Sequence, residues 1–258
     1  MSLIAPLDGW VISLDLWGTL LEHGDRDAAM DWRVNEFGRV LASFGHPLPD
    51  ELLRRVVTSA DAEAASGQRA HGTQPPAPDG QVTGILGSLG ITPSADLVTV
   101  LAIVHAHAVL RACPQPASGA RTALAALAGT GARVVLTSNT LSTPGEVHRQ
   151  LLADLDLTGY FDDLLFSGDL GIAKPRPEVF AAVAARAGTT PDRIIHTGDD
   201  WDTDIRGALA AGCRALFYHP DGPARPQAPG ITHLEQLPAA LQRITCRADP
   251  APTSLETL

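Results

Sequence analysis

Four short apolar runs, separated by stretches of helical spacing, dominate the second half of the chain and restrict its fold most. They are "ARVVLTSN" from position 132, "DDLLFS" from 162, "DRIIHTGDD" from 192 and "CRALFYH" from 213. Between them lie "TPGEVHRQLLADL", "RPEVFAAVAARAG" and "DTDIRGALAAG". A strand covered on both faces reads as a continuous apolar run, not as an alternation. Strands that alternate with helices of this length imply a parallel sheet with crossover helices on both faces. One more such run, "WVISLDL" at 10–16, stands alone near the start.

What separates that first run from the others reads differently. Residues 26–45, 50–66 and 95–112 show helical spacing, and 67–84 is a Gly/Pro-rich loop. No convincing strand occurs between about 22 and 115. The expected fold class is therefore α/β, a doubly wound, Rossmann-like parallel sheet with an inserted all-helical cap domain. Residues 1–21 and 116–247 form the core domain, 22–115 the cap, and 248–258 a frayed tail. Ser118 is expected to cap a helix that closes on glycine, and Pro144 falls in the first turn of the next. Gly188 stops a third helix, 220–230 is a loop, and 234–244 is the last helix.

Composition excludes several functions. The chain has 258 residues, 45% hydrophobic, with a formal net charge of -10. Such an acidic chain without a basic stripe makes a poor partner for nucleic acid. The start has no basic segment and meets an acid early, so no signal peptide is expected. No apolar run in the sequence reads as long enough to span a membrane. Cys113, Cys213 and Cys246 are odd in number and far apart, as in reduced thiols. A cytoplasmic protein acting on a small molecule is expected, and oligomeric state is not legible.

In a doubly wound sheet, ligands sit at the carboxyl ends of the strands. Asp15 ends the first strand, Thr137-Ser138-Asn139 the second, and "TGDDWDTD" supplies Asp199, Asp200, Asp202 and Asp204. Lys174, the one lysine beside eighteen arginines, lies in "GIAKPRPEVF". Carboxylates brought together need a cation between them, and hard oxygens suit Mg²⁺. A carboxylate held by a metal and a lysine can serve as a nucleophile in phosphoryl transfer.

These four ordered motifs resemble the haloacid dehalogenase superfamily, over about 5–218. The resemblance implies that Asp15 is the nucleophile, with Thr19, Ser138, Asn139 and Lys174 as its supporting catalytic residues. It implies Mg²⁺ held by Asp15, the backbone carbonyl of Trp17 and Asp199, with Asp204 supporting and Asp200 possible. It also implies a small, phosphorylated substrate.

The resemblance breaks at Trp17. Phosphatases of this type carry there an aspartate that protonates the leaving oxygen, a role worth roughly 10²–10⁴ in rate. Indole cannot perform it. Several readings stay open: a phosphatase with a replacement acid or base (His23 and Glu22 first, Asp25 near them) or a leaving group that needs no proton; a dehalogenase; a protein that binds without catalysis. A phosphonatase is excluded because the cap has no lysine. For the dehalogenase, Arg33 and Arg39 could hold a carboxylate, but the acidic fourth motif argues for a metal. Trp17 is expected to line the substrate pocket, with plain packing over the cap hinge as the alternative. Asp202 caps or solvates its loop, and Trp201 packs locally. His105 and His107, two apart on a helix, face different ways and make no metal pair.

Overall fold

The computed structural model describes residues 6–220 and 228–246. Strand β1 (Val11–Leu14) is followed by a short strand β2 (Leu21–Glu22) and then by four helices: α1 (Arg26–Ser43), α2 (Asp50–His71), α3 (Pro78–Ser88) and α4 (Ala95–His107). Strand β3 (Gln115–Pro116) returns the chain to the sheet. The rest alternates: α5 (Ala120–Leu127), β4 (Arg133–Ser138), α6 (Gly145–Asp154), β5 (Asp163–Phe166), α7 (Ser167–Leu170), α8 (Pro177–Ala187), β6 (Ile194–Gly198), α9 (Gly207–Ala210), β7 (Arg214–Tyr218), β8 (Gly230–Ile231) and α10 (Leu237–Cys246).

Six strands form one parallel sheet in the order β5-β4-β1-β6-β7-β8. β1 sits in the middle, with Leu14 opposite Leu136 on one side and Thr197 on the other. Its burial on both faces explains its uninterrupted apolar run. The order reverses across β1, which places a crevice at its carboxyl end. Two apolar clusters cover the sheet faces, one built on Ile12, Leu14, Leu136 and Leu216, the other on Val11, Val135, Phe180 and Ile194.

Helices α1–α4 bury a third apolar cluster of their own, including Val34, Phe37, Leu41, Leu53, Val82, Ile85 and Leu101. Burying a side chain of this size contributes roughly 1.5–3 kcal/mol, so the four helices share a substantial core. Asp25 caps α1 through Ala28 N–H at 2.9 Å, and Ser94 caps α4 through Leu97 N–H at 3.3 Å. The two passages between these helices and the sheet are joined: β2 pairs with β3 in antiparallel fashion, and Asp25 N–H donates to Ala112 O.

Several local expectations require correction. Only 72–77 of the Gly/Pro-rich stretch 67–84 is a loop: α2 runs through Gly67 and stops at Gly72, which is left-handed. Pro78 opens α3 at its first turn, where a missing N–H costs nothing. Glycine inside α2 and proline at the start of α3 thus stand within helices and do not break them. Gly119, not Ser118, precedes α5, and Pro144 stands at the cap position of α6. Strand β8 lies at the end of the expected loop 220–230. The tail 248–258 lies outside the described residues. Finally, Ala95–Ala112 is an 18-residue window of mean hydropathy 1.5, long and apolar enough to span a membrane by length and composition. Here Leu97, Leu101, His105 and Ala106 of α4 are buried among the other helices.

Candidate active site

Asp15 follows the last residue of β1, and its N–H donates to Thr197 O of β6 at 2.9 Å. The chain then turns sharply at Gly18, which has φ +79°. A side chain there is excluded twice. The backbone is left-handed, and a Cβ would stand 2.4 Å from Asp199 Oδ2. Gly198 likewise lets Asp204 approach, since its Cβ would lie 2.2 Å from Asp204 Oδ2. Glycines thus allow two carboxylates to close on the end of the sheet.

Asp15, Asp199 and Asp204 each offer an oxygen, and these oxygens lie within 4.8 Å of one another. Lys174 is buried between two of them. Its Nζ donates to Asp15 Oδ1 and to Asp204 Oδ1, each at 2.6 Å. Asn139 secures that lysine by its backbone: Lys174 N–H donates to Asn139 Oδ1 at 2.8 Å, and Asn139 Nδ2 donates to Lys174 O at 3.0 Å. Thr19 donates to Asp199 Oδ1 at 2.9 Å. Buried Ser138 donates to Asn139 O at 3.2 Å.

Asp204 is the most committed of the three acids. Oδ1 also faces His196 Nε2 at 3.2 Å, and Oδ2 accepts from Asp200 N–H at 3.0 Å. Burial disfavours its charge, but Lys174 and His196 outweigh burial and hold its carboxyl well below the usual range. Burial, then the neighbouring Asp204 and Asp199, push Asp15 up to about 8 against the pull of Lys174. Burial and Asp204 raise Asp199 to about 6, against the hydrogen bond from Thr19. Burial opposes the ammonium of Lys174 too, yet its two carboxylate partners hold its pKa above the ordinary value. With all groups ionised, three carboxylates and one ammonium leave two uncompensated negative charges. Burial first, and the neighbouring carboxylates after it, give Asp15 and Asp199 their elevated proton affinity. A divalent cation with oxygen ligands matches both the charge and the donor set.

Other candidates lie apart from this cluster. Asp200 turns away: Oδ1 accepts from Asp202 and Thr203 N–H, and Oδ2 pairs with Arg69 of α2 at 2.6 Å. It caps the wide π-type turn Trp201–Arg206, so its carboxylate is taken by roles other than metal binding. Asp202 pairs with Arg206, and Trp201 packs edge-on against Phe217. Glu22 is exposed in β2. His23 stacks on Trp17 with ring centroids 5.3 Å apart and planes 6° from parallel. Burial, then Arg26, lowers its pKa. Arg33 is buried and paired with Asp61, and Arg39 is exposed beside Glu36. His105 and His107 indeed diverge: one bonds Gln81 Oε1, the other Ile103 O.

Two buried histidines were not singled out from the sequence. His196, in β6, links Ser13 (Nδ1 to Oγ, 2.8 Å) to Asp204. His148, on the buried stripe of α6, accepts from Trp17 Nε1 at 3.0 Å. Each was visible as a polar residue inside an apolar pattern, but only tertiary placement gives it a partner.

A doubly wound sheet with a carboxylate–lysine centre at the end of its middle strand defines the class: an α/β enzyme with its site at the topological switch point. The family model for haloacid dehalogenase-like hydrolases matches residues 11–212. The chain therefore belongs to the haloacid dehalogenase-like hydrolases. It is 34% identical over 84 residues to a phosphoserine phosphatase of Thermus thermophilus, covering 33% of each chain. It is 36% identical over 93 residues to a phosphoglycolate phosphatase of Salmonella paratyphi A, covering 36% of this chain and 35% of that one. The matches thus span about a third of these relatives. Among solved structures, a 2-haloacid dehalogenase from Pseudomonas syringae superposes with a TM-score of 0.65 at 26% identity, over 91% of this chain and 99% of that one. A phosphatase of the same superfamily from Thermococcus onnurineus shares the fold with a TM-score of 0.61 at 19% identity, over 90% and 97%.

Proposed function

We propose that this hydrolase is a Mg²⁺-dependent phosphohydrolase acting on a small phosphorylated metabolite through a phosphoryl-Asp15 intermediate. The observation that carries this reading is the excess of negative charge where Asp15, Asp199 and Asp204 meet around one lysine. A dehalogenase needs no such excess. The phosphatases among the relatives support the same choice.

In this reading a carboxylate oxygen of Asp15 attacks phosphorus while the bond from phosphorus to the leaving oxygen breaks. Water then attacks the phosphorus of the aspartyl phosphate, which releases phosphate and restores the Asp15 carboxylate. Lys174 holds Asp15 in place and offsets charge on the phosphoryl oxygens. Ser138 supplies a hydroxyl donor beside them. Thr19 and Asn139 fix Asp199 and the Lys174 backbone, and so act by positioning. Asp15, Asp199 and the Trp17 carbonyl would hold Mg²⁺, with Asp204 in support. When bound, the ion supplies the Lewis acidity that balances the transferring group. Residues 22–115 act as the cap over this site, and the setting is cytoplasmic.

The test is phosphate release from acetyl phosphate, an aryl phosphate and an alkyl sugar phosphate, with Mg²⁺ and with chelator. Metal-dependent release that disappears in Asp15→Asn supports the reading. Good turnover of the sugar phosphate directs attention to His23 and Glu22 as replacement acids. Release of halide from a 2-haloacid without phosphate release would favour the dehalogenase, whose leaving group needs no proton and which the fold likeness to the Pseudomonas enzyme supports.

A further inference from the structure

Position 17 is not merely without an acid; its one polar atom is consumed by the protein. Trp17 donates Nε1–H to His148 Nε2 at 3.0 Å, and His148 Nδ1 lies 3.0 Å from Pro144 O. A carbonyl only accepts, so Nδ1 carries the proton and Nε2 offers its lone pair to the indole. The imidazole cannot easily turn. It is 2% exposed and stacks on Phe166 at 5.2 Å, and Pro144 anchors it from the start of the same helix. His23 covers the indole in parallel. Trp17 itself stands two residues after Asp15 and directly before Gly18, where an added Cβ would collide with the Asp199 carboxylate.

We propose that His148 is a specificity-determining positioning residue: by taking the only side-chain N–H of Trp17 it fixes the indole at the rim of the site, and the leaving group meets hydrocarbon there instead of a hydrogen-bond donor. The substrates so selected are phosphoesters or acyl phosphates whose leaving group departs as a stable anion. In the first step the Asp15–phosphorus bond forms and the electron pair of the breaking bond stays on the leaving oxygen, with no proton delivered. This inference rests on the phosphohydrolase reading and narrows it.

Two measurements on the full chain separate the parts. The first is hydrogen exchange of the Trp17 indole N–H by ¹⁵N-resolved NMR, assigned with Trp17→Phe. Exchange at least tenfold slower in wild type than in His148→Leu is expected, with protection regained in His148→Gln, whose side-chain carbonyl can accept. Equal exchange in wild type and His148→Leu overturns the lock. The second is kcat/KM for aryl phosphates with leaving-group pKa from about 4 to about 10. The expected wild-type slope is steep, approaching tenfold per pK unit; His148→Leu frees the indole N–H to hydrogen-bond the leaving oxygen without protonating it, and should lower the slope modestly, to about fivefold per pK unit. A flat wild-type slope overturns the specificity claim with no variant needed. Absence of phosphate release from every ester, with the indole still protected, would overturn the phosphohydrolase reading and the selectivity with it, leaving the lock intact.

Discussion

Asn139 grips the backbone of Lys174 from both sides, accepting from its N–H and donating to its carbonyl oxygen. The lysine reaches two buried carboxylates from this one fixed point, so its placement depends on an amide that touches neither. Replacing Asn139 with aspartate keeps the acceptor and loses the donor. Asn139→Asp is expected to cost about 1–3 kcal/mol, because Lys174 O is left unsatisfied and a charge is added near the acids. Phosphate release should fall at least tenfold. Thermal melting and turnover measured together check both.

Lys174 pairs with Asp15 and Asp204, whereas Asp199 is held by the hydroxyl of Thr19. Asp199→Asn is expected to raise the melting temperature in chelator, by an amount of order 1 kcal/mol in stability. The same variant should lose the stabilisation that added Mg²⁺ gives the wild type. Paired melts with and without Mg²⁺ decide it, and an unchanged Mg²⁺ response would remove Asp199 from the ligand set.

Lys174→Met removes the cation that bridges Asp15 and Asp204. An uncompensated buried charge costs about 3–5 kcal/mol, so the variant should be strongly destabilised in chelator and partly recovered by Mg²⁺. Urea unfolding in both conditions gives the magnitude. Hydrolysis should be lost in either case.

His105 supplies a pH dependence away from the site. It is buried against Arg33, whose Nη1 faces Nδ1 at 3.3 Å, and Gln81, and burial, then Arg33, lowers its pKa to about 4. The unfolded chain binds its proton near 6.5, the folded chain only near 4. Stability contributed by neutral His105 is thus complete above 6.5 and lost as pH falls toward 4, amounting to roughly 3 kcal/mol at most. Urea midpoints at pH 7, 5.5 and 4.5 should show the decline, and His105→Gln should flatten it. A variant with the same decline as wild type would assign the effect to other groups.

Much of this was legible because sheet periodicity is local. The runs at 10–16, 132–139, 192–200 and 213–219 each became a strand of the parallel sheet, and strand ends locate a crevice without any knowledge of side chains. The meeting of Asp15, Asp199, Asp204 and Lys174 followed from that topology. What escaped was relational. Pro78 starts a helix only because Val82, Ile85 and Leu86 find a cluster to join. Asp200 and Asp204 are equivalent in sequence, and only the cap geometry of the following turn, with Arg69 arriving from α2, separates them. His148 looked like one polar residue on a helix until Trp17, 131 positions away, was placed beside it.

The pairing of β2 with β3 has a consequence for how such a chain can vary. The point where the chain leaves the sheet and the point where it returns are neighbouring strands, about 5 Å apart. Ninety or so residues therefore behave as an exchangeable module plugged into a socket of fixed width. The module can be lengthened, rebuilt or traded while Asp15, on the other side of Gly18, keeps its address. By the proposal above, Trp17 and His148 stay behind with Asp15, so leaving-group preference remains with the chemistry while the inserted helices change.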